Sequence, residues 1–521
     1  MATQDIEHIG DSKLAHSKAD SDKAPSEVEG ILVTVTNEDS ERIKRKTDKV
    51  ILAILTWVYF LQVLDKGVLG TAALFGLKED LHLKGSEYSL IASIAPIAQL
   101  AWQPFSAWLI VKVPPRILMP TLVFGWGTAA ACFAACNSFG TAVAARFFLG
   151  LFEAGCMPLF TIITSQWYRR VEQPLRVSIW YSMNGTATMV AAALSYGLGH
   201  IPSDVVAPWQ IIFIVVGLIT IVTAPFVYWK LDNDATTARF LTEHERLQAV
   251  ERLRANQTGA STHNFDWSHV LEVALEPKSW LWVAMALLPN MGSAMTSIFG
   301  PLIVQGFGFD KYETSLLNIP FGAVQTIVVI ASCWASYKAS LKSAVLIAFM
   351  LPVVAGIGML YGISHDQSNQ GPLLTAYYLC AFLFAGNPIL LSWAVANTAG
   401  AAKTSTTMAL YQIGTSAGAL AGPLLFTDEQ APEYLPGTRA TLGLFIALIG
   451  CIVIQVFNLA FLNRQHRNKR ISNGKSADIV DYSMANNLNT TDGKVLDHMP
   501  SQAPPFMDLT DRKNDEFVYV Y

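Results

Sequence analysis

The chain has 521 residues, 52% of them hydrophobic and 15% charged, with a mean hydropathy of +0.35. Soluble domains carry roughly a quarter of their residues as charges, so this composition excludes an ordinary multidomain soluble protein. A net charge of −4 leaves no basic footprint for nucleic acid.

Three polar stretches, 1–49, 231–278 and 464–521, frame two apolar blocks, 50–230 and 279–463. The blocks hold enough chain for twelve segments of about thirty residues, each a membrane span of about 20 residues plus a short loop. In chain order the first predicted spans are 50–74 and 88–111. An uncharged run over 117–145 is too long for one helix and divides at Asn137-Ser138 into span 3 and the start of span 4, which runs on to Trp167. Spans 5 and 6 cover 177–199 and 209–228. The second block reads 279–307, 314–335, 344–363, 373–395, 406–426 and 442–462. The expected fold is therefore an all-α polytopic membrane protein with twelve transmembrane helices in two six-helix bundles. The N-terminal tail, first bundle, central loop, second bundle and C-terminal tail would occupy 1–49, 50–230, 231–278, 279–463 and 464–521.

Seventeen lysines and arginines flank the spans on the side shared by both tails, against four (Lys78, Lys84, Lys311 and Arg439) on the other. The positive-inside rule then places both tails and the central loop in the cytoplasm. Met1 opens a polar tail, so no cleavable signal peptide is expected and the first span directs insertion. The sequons at Asn256 and Asn489 would be cytoplasmic and that at Asn184 lies in span 5, so none is expected to be glycosylated. The six cysteines fall in predicted spans without metal-ligand spacing and read as small buried residues. In the central loop, Thr242 and Glu245 have capping-box spacing, and Leu247, Val250 and Leu253 share one helical face. A short amphipathic helix against the cytoplasmic face is expected, or else a solvated linker.

Ionisable residues inside a span are costly and mark functional sites. Span 1 carries Asp65 and Lys66, and span 4 carries Arg146 and Glu153. Seven residues make nearly two helical turns, so Arg146 and Glu153 face one way, about 10.5 Å apart along the axis. Arg146 offers a planar fork of donors to a carboxylate and Lys66 a second positive charge. Asp65 and Glu153 can take up protons, because a carboxylate out of water neutralises rather than stays charged. The competing reading is that the four charges form compensating pairs that fix helix packing. Polar residues that could line a cavity are Asn184, Gln305, Asn387, Trp393, Asn397, Tyr411 and Gln412, or they make interhelical hydrogen bonds. Gly386-Asn387-Pro388 is a helix-breaking cluster of the kind that lines transporter sites.

Twelve spans split six and six resemble the major facilitator superfamily. Several stretches resemble, more narrowly, the fungal allantoate permease group of the anion:cation symporters. These are Leu64-Asp65-Lys66, Phe75-Gly76-Leu77, the run from Arg146 to Glu153, Trp167-Tyr168-Arg169-Arg170, Arg239-Phe240-Leu241-Thr242, Gly422-Pro423 and Ala431-Pro432. The resemblance covers about residues 46 to 465. It implies proton-coupled movement of small, usually carboxylate-bearing solutes such as ureides, vitamins and their precursors, or peptides. Carried over by position, Asp65 and Glu153 are the proton carriers and Lys66 and Arg146 the anion contacts. The sequence departs from the superfamily pattern in the loop between spans 2 and 3, where Val111 stands at the usual acidic position. It departs again in span 11, which has Gly418-Ala419 where family members often have Gly-Asn.

The sequence thus predicts a secondary transporter in the plasma membrane, both termini cytoplasmic. It would be a monomer in the bilayer, with a small organic anion and protons as ligands. The proton gradient is its driving force, with no cofactor, and Asn184, Asn387, Trp393 and Gln412 complete the substrate contacts. An exporter or carrier of a pathway metabolite is the alternative within transport. A non-transporting nutrient sensor signalling through its tails is the alternative from another class. No nucleotide loop, metal cluster or Gly-x-Ser-x-Gly elbow points to an enzyme.

Overall fold

A computed structural model describes residues 36–169, 172–201, 206–254, 267–339, 341–474, 510–514 and 517–521. Asn256, Asn489, Arg170 and the tail lysines Lys13, Lys18 and Lys23, plausible modification sites, lie outside them. No strand occurs among the described residues, and every predicted span falls on helical structure, in one piece or several.

Span 1 is a continuous helical run, Glu38–Phe75, that joins the tail helix Asn37–Thr47 to the membrane segment. It ends at Gly76, whose φ of 93° is left-handed and stops the helix without a Cβ penalty. Span 2 is Glu87–Lys112 and span 3 is Pro115–Phe133. Span 4 begins at Phe139 behind the Ser138 cap, close to the predicted turn. It comes in two pieces, Phe139–Glu153 and Cys156–Trp167. Pro158 accounts for the break, because its ring clashes with the carbonyl four residues back and it lacks an N–H. Span 5 is likewise divided, Gln173–Tyr181 and Met183–Gly199, and span 6 is Pro208–Lys230.

In the second block, span 7 is bent by 49° between Pro277–Ser297 and Gly300–Gly306. Spans 8 and 9 are Lys311–Ala339 and Lys342–Gly362. Span 10 runs as Gln370–Leu379, a tight 3-10 stretch Cys380–Ala385, and Gly386–Ala396. Pro388 places its clash at Phe384, inside that 3-10 stretch, so the predicted helix breaker acts four residues upstream of itself. Spans 11 and 12 are Ala401–Ala421 and Leu435–Ser472. Eight of these helices are individually long and apolar enough to cross a membrane, and the bent span 7 makes nine. The other three predicted spans coincide with span 2, the divided span 5 and span 11, whose serines, threonines and glutamines dilute their hydropathy.

The central loop contains the helix Glu243–Arg254, capped as its spacing predicts: Thr242 N–H donates to Glu245 Oε2 at 3.1 Å and Glu245 N–H to Thr242 Oγ1 at 3.3 Å. Of the expected apolar face only Leu253 packs against the core. Leu247 and Val250 are exposed, whereas Glu245, Gln248, Ala249 and Arg252 are buried. Charge pairing decides the orientation: Lys46 Nζ lies 2.7 Å from Glu245, and Arg252 pairs with Glu172 and donates to Ser40 Oγ at 2.9 Å. A second loop helix, Trp267–Leu275, turns Trp267, Leu271 and Leu275 outward, the pattern of a helix lying at a membrane surface. In the departing loop between spans 2 and 3, Arg116 is anchored to the end of span 6. Its N–H reaches Asn233 Oδ1 at 3.1 Å and its Nε reaches Tyr228 O at 3.3 Å.

The two blocks meet along spans 5 and 8 and along spans 2 and 11. Gly185 and Gly322 pack backbone to backbone: a Cβ on Gly322 would lie 2.6 Å from Gly185 O, and one on Gly185 would overlap Gly322 O. Thr188 Oγ1 donates to Gln325 Oε1 at 3.2 Å beside them. Across the other seam Ser89 and Ser93 donate to Phe426 O and Leu420 O at 2.8 and 2.9 Å. Gly322→Ala is predicted to cost about 1–3 kcal/mol through overpacking. Gly358→Ala, with open space around it, is the control. Thermal unfolding in detergent should show a lower midpoint for the first variant and none for the second.

Candidate functional site

The helix geometry that puts Arg146 and Glu153 on one face of span 4 turns both toward span 1. Arg146 Nη1 lies 3.9 Å from Asp65 Oδ2, and Lys66 Nζ lies 3.3 Å from Glu153 Oε2. The four charges predicted from sequence are therefore one cluster, joined as two cross-span pairs. Asp65, Arg146 and Glu153 are buried at 0%, 4% and 2% exposure, while the Lys66 side chain is half exposed. Span 2 contributes a residue that sequence reading missed: Gln99 Nε2 donates to Glu153 Oε2 at 2.8 Å. Its only signal was a polar side chain in a span that also carries Ser89, Ser93, Gln103 and Ser106.

The pairing is loose. Both Asp65 carboxylate oxygens, Arg146 Nε and Glu153 Oε1 are buried without a hydrogen-bond partner. Buried polar atoms in folded proteins are nearly always satisfied, and those that are not ask for an explanation. At 3.9 Å the Arg146–Asp65 contact lacks the short bidentate geometry that an arginine–carboxylate pair adopts when free to do so. Arg146 also stacks its guanidinium over Phe133, 5.5 Å from the ring centre. Glu153 ends the first piece of span 4, beside the break imposed by Pro158, so its backbone setting is not that of a mid-helix residue.

The predicted polar residues divide into three groups. Asn184 is committed within the first block, donating to Tyr59 hydroxyl and Tyr181 O at 2.8 Å each. Asn387 crosses between blocks, donating to Tyr181 hydroxyl at 2.9 Å and accepting from Asn290 Nδ2 at 3.2 Å. Tyr411 is buried with its hydroxyl unpartnered and Gln412 is half-buried beside it on span 11. Asn184 and Asn387 meet at Tyr181. Trp393 and Asn397 are engaged elsewhere: both hold Val520 of the C-terminal segment, Trp393 Nε1 donating to Val520 O at 2.8 Å. Gln305 is exposed at the end of span 7, away from the cluster.

Asp65, Lys66, Arg146 and Glu153 thus form one largely buried, incompletely paired cluster, and comparison with known proteins gives the family. The Major Facilitator Superfamily model matches residues 55–423. The chain belongs to that superfamily. An uncharacterized transporter of Schizosaccharomyces pombe is 31% identical, over 99% of this chain and 93% of its own length. Two Saccharomyces cerevisiae relatives are the thiamine pathway transporter THI73, 29% identical over 93% of this chain and 87% of its own, and the allantoate permease, 28% identical over 82% and 80%. Among solved structures, a bacterial homologue of the human lysosomal transporter Spinster, inward-facing and unoccupied, superposes with a TM-score of 0.57 at 15% identity, over 81% of this chain and 97% of its own. That likeness concerns the fold. This major facilitator protein is a multi-pass membrane transporter of a small-molecule substrate, grouped with fungal permeases.

Removing one member of a buried pair strands the other, typically at about 3–5 kcal/mol, whereas removing both is often neutral. Arg146→Ala is therefore predicted to lower the unfolding midpoint in detergent, and Arg146→Ala with Asp65→Ala to recover most of it. Failure of the double variant to recover would mean that the two side chains do not act as a pair.

Proposed function

We propose that this transporter imports a small organic anion together with protons across the plasma membrane by alternating access. The observation that carries the reading is the set of buried atoms without partners: both oxygens of Asp65, one of Glu153, and Nε of Arg146. A packing pair gains nothing from such a geometry, because desolvating two charges is repaid only by close, complete hydrogen bonding. A site that must bind and release both an anion and a proton needs that spare capacity. Arg146 and Lys66 are the anion contacts and Asp65 and Glu153 the proton carriers. Gln99 holds one Glu153 oxygen in place while the other stays free to accept a proton. Asn290 and Asn387 are the polar groups that the second block offers to the neutral part of the solute, and Tyr181 meets them from the first.

The cycle follows from charge balance. Anion binding to Arg146 loosens its attraction for Asp65, and protonation of a carboxylate restores neutrality before the two blocks rock across the Gly185–Gly322 seam. A neutralised site crosses the apolar interior at far lower cost than a charged one. A relative named for allantoate, an anion, supports the substrate class. The cytoplasmic placement of both tails rests on the excess of lysine and arginine on their side.

Uptake of candidate carboxylates, ureides and vitamins by cells expressing the chain tests this reading. Uptake should be faster at pH 5 than at pH 7.5 and collapse with a protonophore. Arg146→Ala should lower it about tenfold or more, the loss expected when a binding contact is removed. Arg146→Lys keeps the charge but not the fork of donors and should be intermediate. Uptake indifferent to the protonophore, or intact in Arg146→Ala, would sink the mechanism.

A further inference from the structure

The segment at residues 510–514 and 517–521 is seated on the tail-bearing end of the second bundle by contacts that single out its backbone. Asn397, one residue past the end of span 10, donates Nδ2 to Val520 O at 2.9 Å and accepts Val520 N–H on Oδ1 at 2.8 Å. Asn463 on span 12 treats Tyr519 the same way, at 2.9 Å in both directions. Two side-chain amides thus read adjacent peptide units as a β-strand neighbour would. The N–H of Lys342, first residue of span 9, donates to Tyr521 O at 2.8 Å, and His466 Nδ1 meets Phe517 O at 3.2 Å. Upstream, Asp511 is fully buried between Lys278 at the start of span 7 and Lys403 at the start of span 11. It also takes a hydrogen bond from Tyr519 hydroxyl at 2.8 Å, which folds the segment back on itself.

We propose that residues 510–514 and 517–521 form a releasable strap that occupies this site and holds the second half of span 10 in place. Two features argue for release. First, departure of Asp511 strands neither lysine: Lys403 keeps Glu272 and Glu276 at 2.7 Å, and Lys278 keeps Glu276 at 3.6 Å. With the strap seated, two lysines face three carboxylates, and without it two face two. Second, most docking contacts are hydrogen bonds and ion pairs that water can replace; Tyr519 is the one deeply buried aromatic, with Phe517 and Tyr521 only half-buried around it. The target of the restraint is specific. Gly386–Ala396 follows the 3-10 stretch Cys380–Ala385, a natural hinge, and carries Asn387, which bonds Tyr181 of the other block. The strap ties the far end of that same piece, through Trp393 and Asn397, to spans 7, 9 and 12. It therefore sits where it can set how freely span 10 moves against the first bundle.

The strap is not a pH switch in the neutral range. Burial pushes the Asp511 carboxyl up, but Lys278 and Lys403 outweigh it and hold the group below the usual carboxylate range. A lowered carboxylate contributes its stabilisation above its ordinary value, near 3.8, and loses it only as pH falls through the lowered one. The groups that face it from the packed elements are Lys278, Lys403, Glu272, Glu276, Tyr519 and His466.

Hydrogen exchange on the full chain in lipid nanodiscs at pH 7 tests the proposal without any substrate. In the unaltered chain the Tyr519 and Val520 amides should be protected, and equally so at pH 6 and pH 8 after correction for the intrinsic rate. Asp511→Lys, which sets a third cation against Lys278 and Lys403 from outside the bundle, should speed exchange of 517–521 about tenfold or more and of 386–397 about threefold. Asn397→Ala should do the same from the receptor side. Exchange of 517–521 at the free-chain rate in the unaltered protein would overturn the docking. Release that leaves exchange of 386–397 unchanged would overturn the restraint.

Discussion

A charge in the hydrocarbon interior must be paired, hydrated or neutralised, and that single constraint organises the centre of this molecule. Asp65, Lys66, Arg146 and Glu153 satisfy it jointly rather than pair by pair. Arg146 stands 3.9 Å from Asp65, and Lys66 stands 3.3 Å from Glu153. Each cation is thus shared between holding a neighbour and remaining open to something else. Spans 1, 2 and 4 converge because the cluster requires partners from all three, Gln99 being the contribution of span 2. The break in span 4 after Glu153 leaves this carboxylate at the end of a helical piece.

Around this centre the packing favours movement between blocks over movement within them. Gly185 and Gly322 allow two backbones to touch, and the serine-to-carbonyl contacts at Ser89 and Ser93 are individually weak and replaceable. Inside each block the contacts are aromatic and deep, as in Tyr59 against Trp180 at 4.9 Å and Trp282 against Trp393 at 4.9 Å. Such cores shift as bodies, because close-packed interiors have discrete arrangements and little continuous give. The C-terminal segment, as proposed, acts on one of several segmented helices, span 10.

Much of this was legible in the sequence because the membrane imposes a coarse and unforgiving code. Apolar length placed each expected span on helical structure, although the helices of spans 1 and 12 run well past the expected ends, Glu38–Phe75 and Leu435–Ser472. The cost of a buried charge marked all four members of the cluster. The capping box at Thr242 and Glu245 was equally readable, since it is a local interaction. What failed was everything decided by a distant partner. Leu247 and Val250 suggested the wrong packed face, because the loop helix is oriented by Lys46 and by Glu172, far away in the chain. Trp393 and Asn397 looked like cavity residues because nothing local shows that Val520 lies against them. Gln99 was passed over as one neutral side chain among many, and only its 2.8 Å bond to Glu153 sets it apart.

The central claim is that the Asp65, Lys66, Arg146 and Glu153 cluster couples anion movement to protons. It is tested most directly with purified protein in liposomes carrying an internal pH dye, with no pH or electrical gradient imposed. An inward gradient of the transported anion should then acidify the lumen, and Glu153→Gln should abolish the acidification while leaving anion exchange measurable. Anion entry with no change in lumenal pH, or full proton flux in Glu153→Gln, would contradict the account.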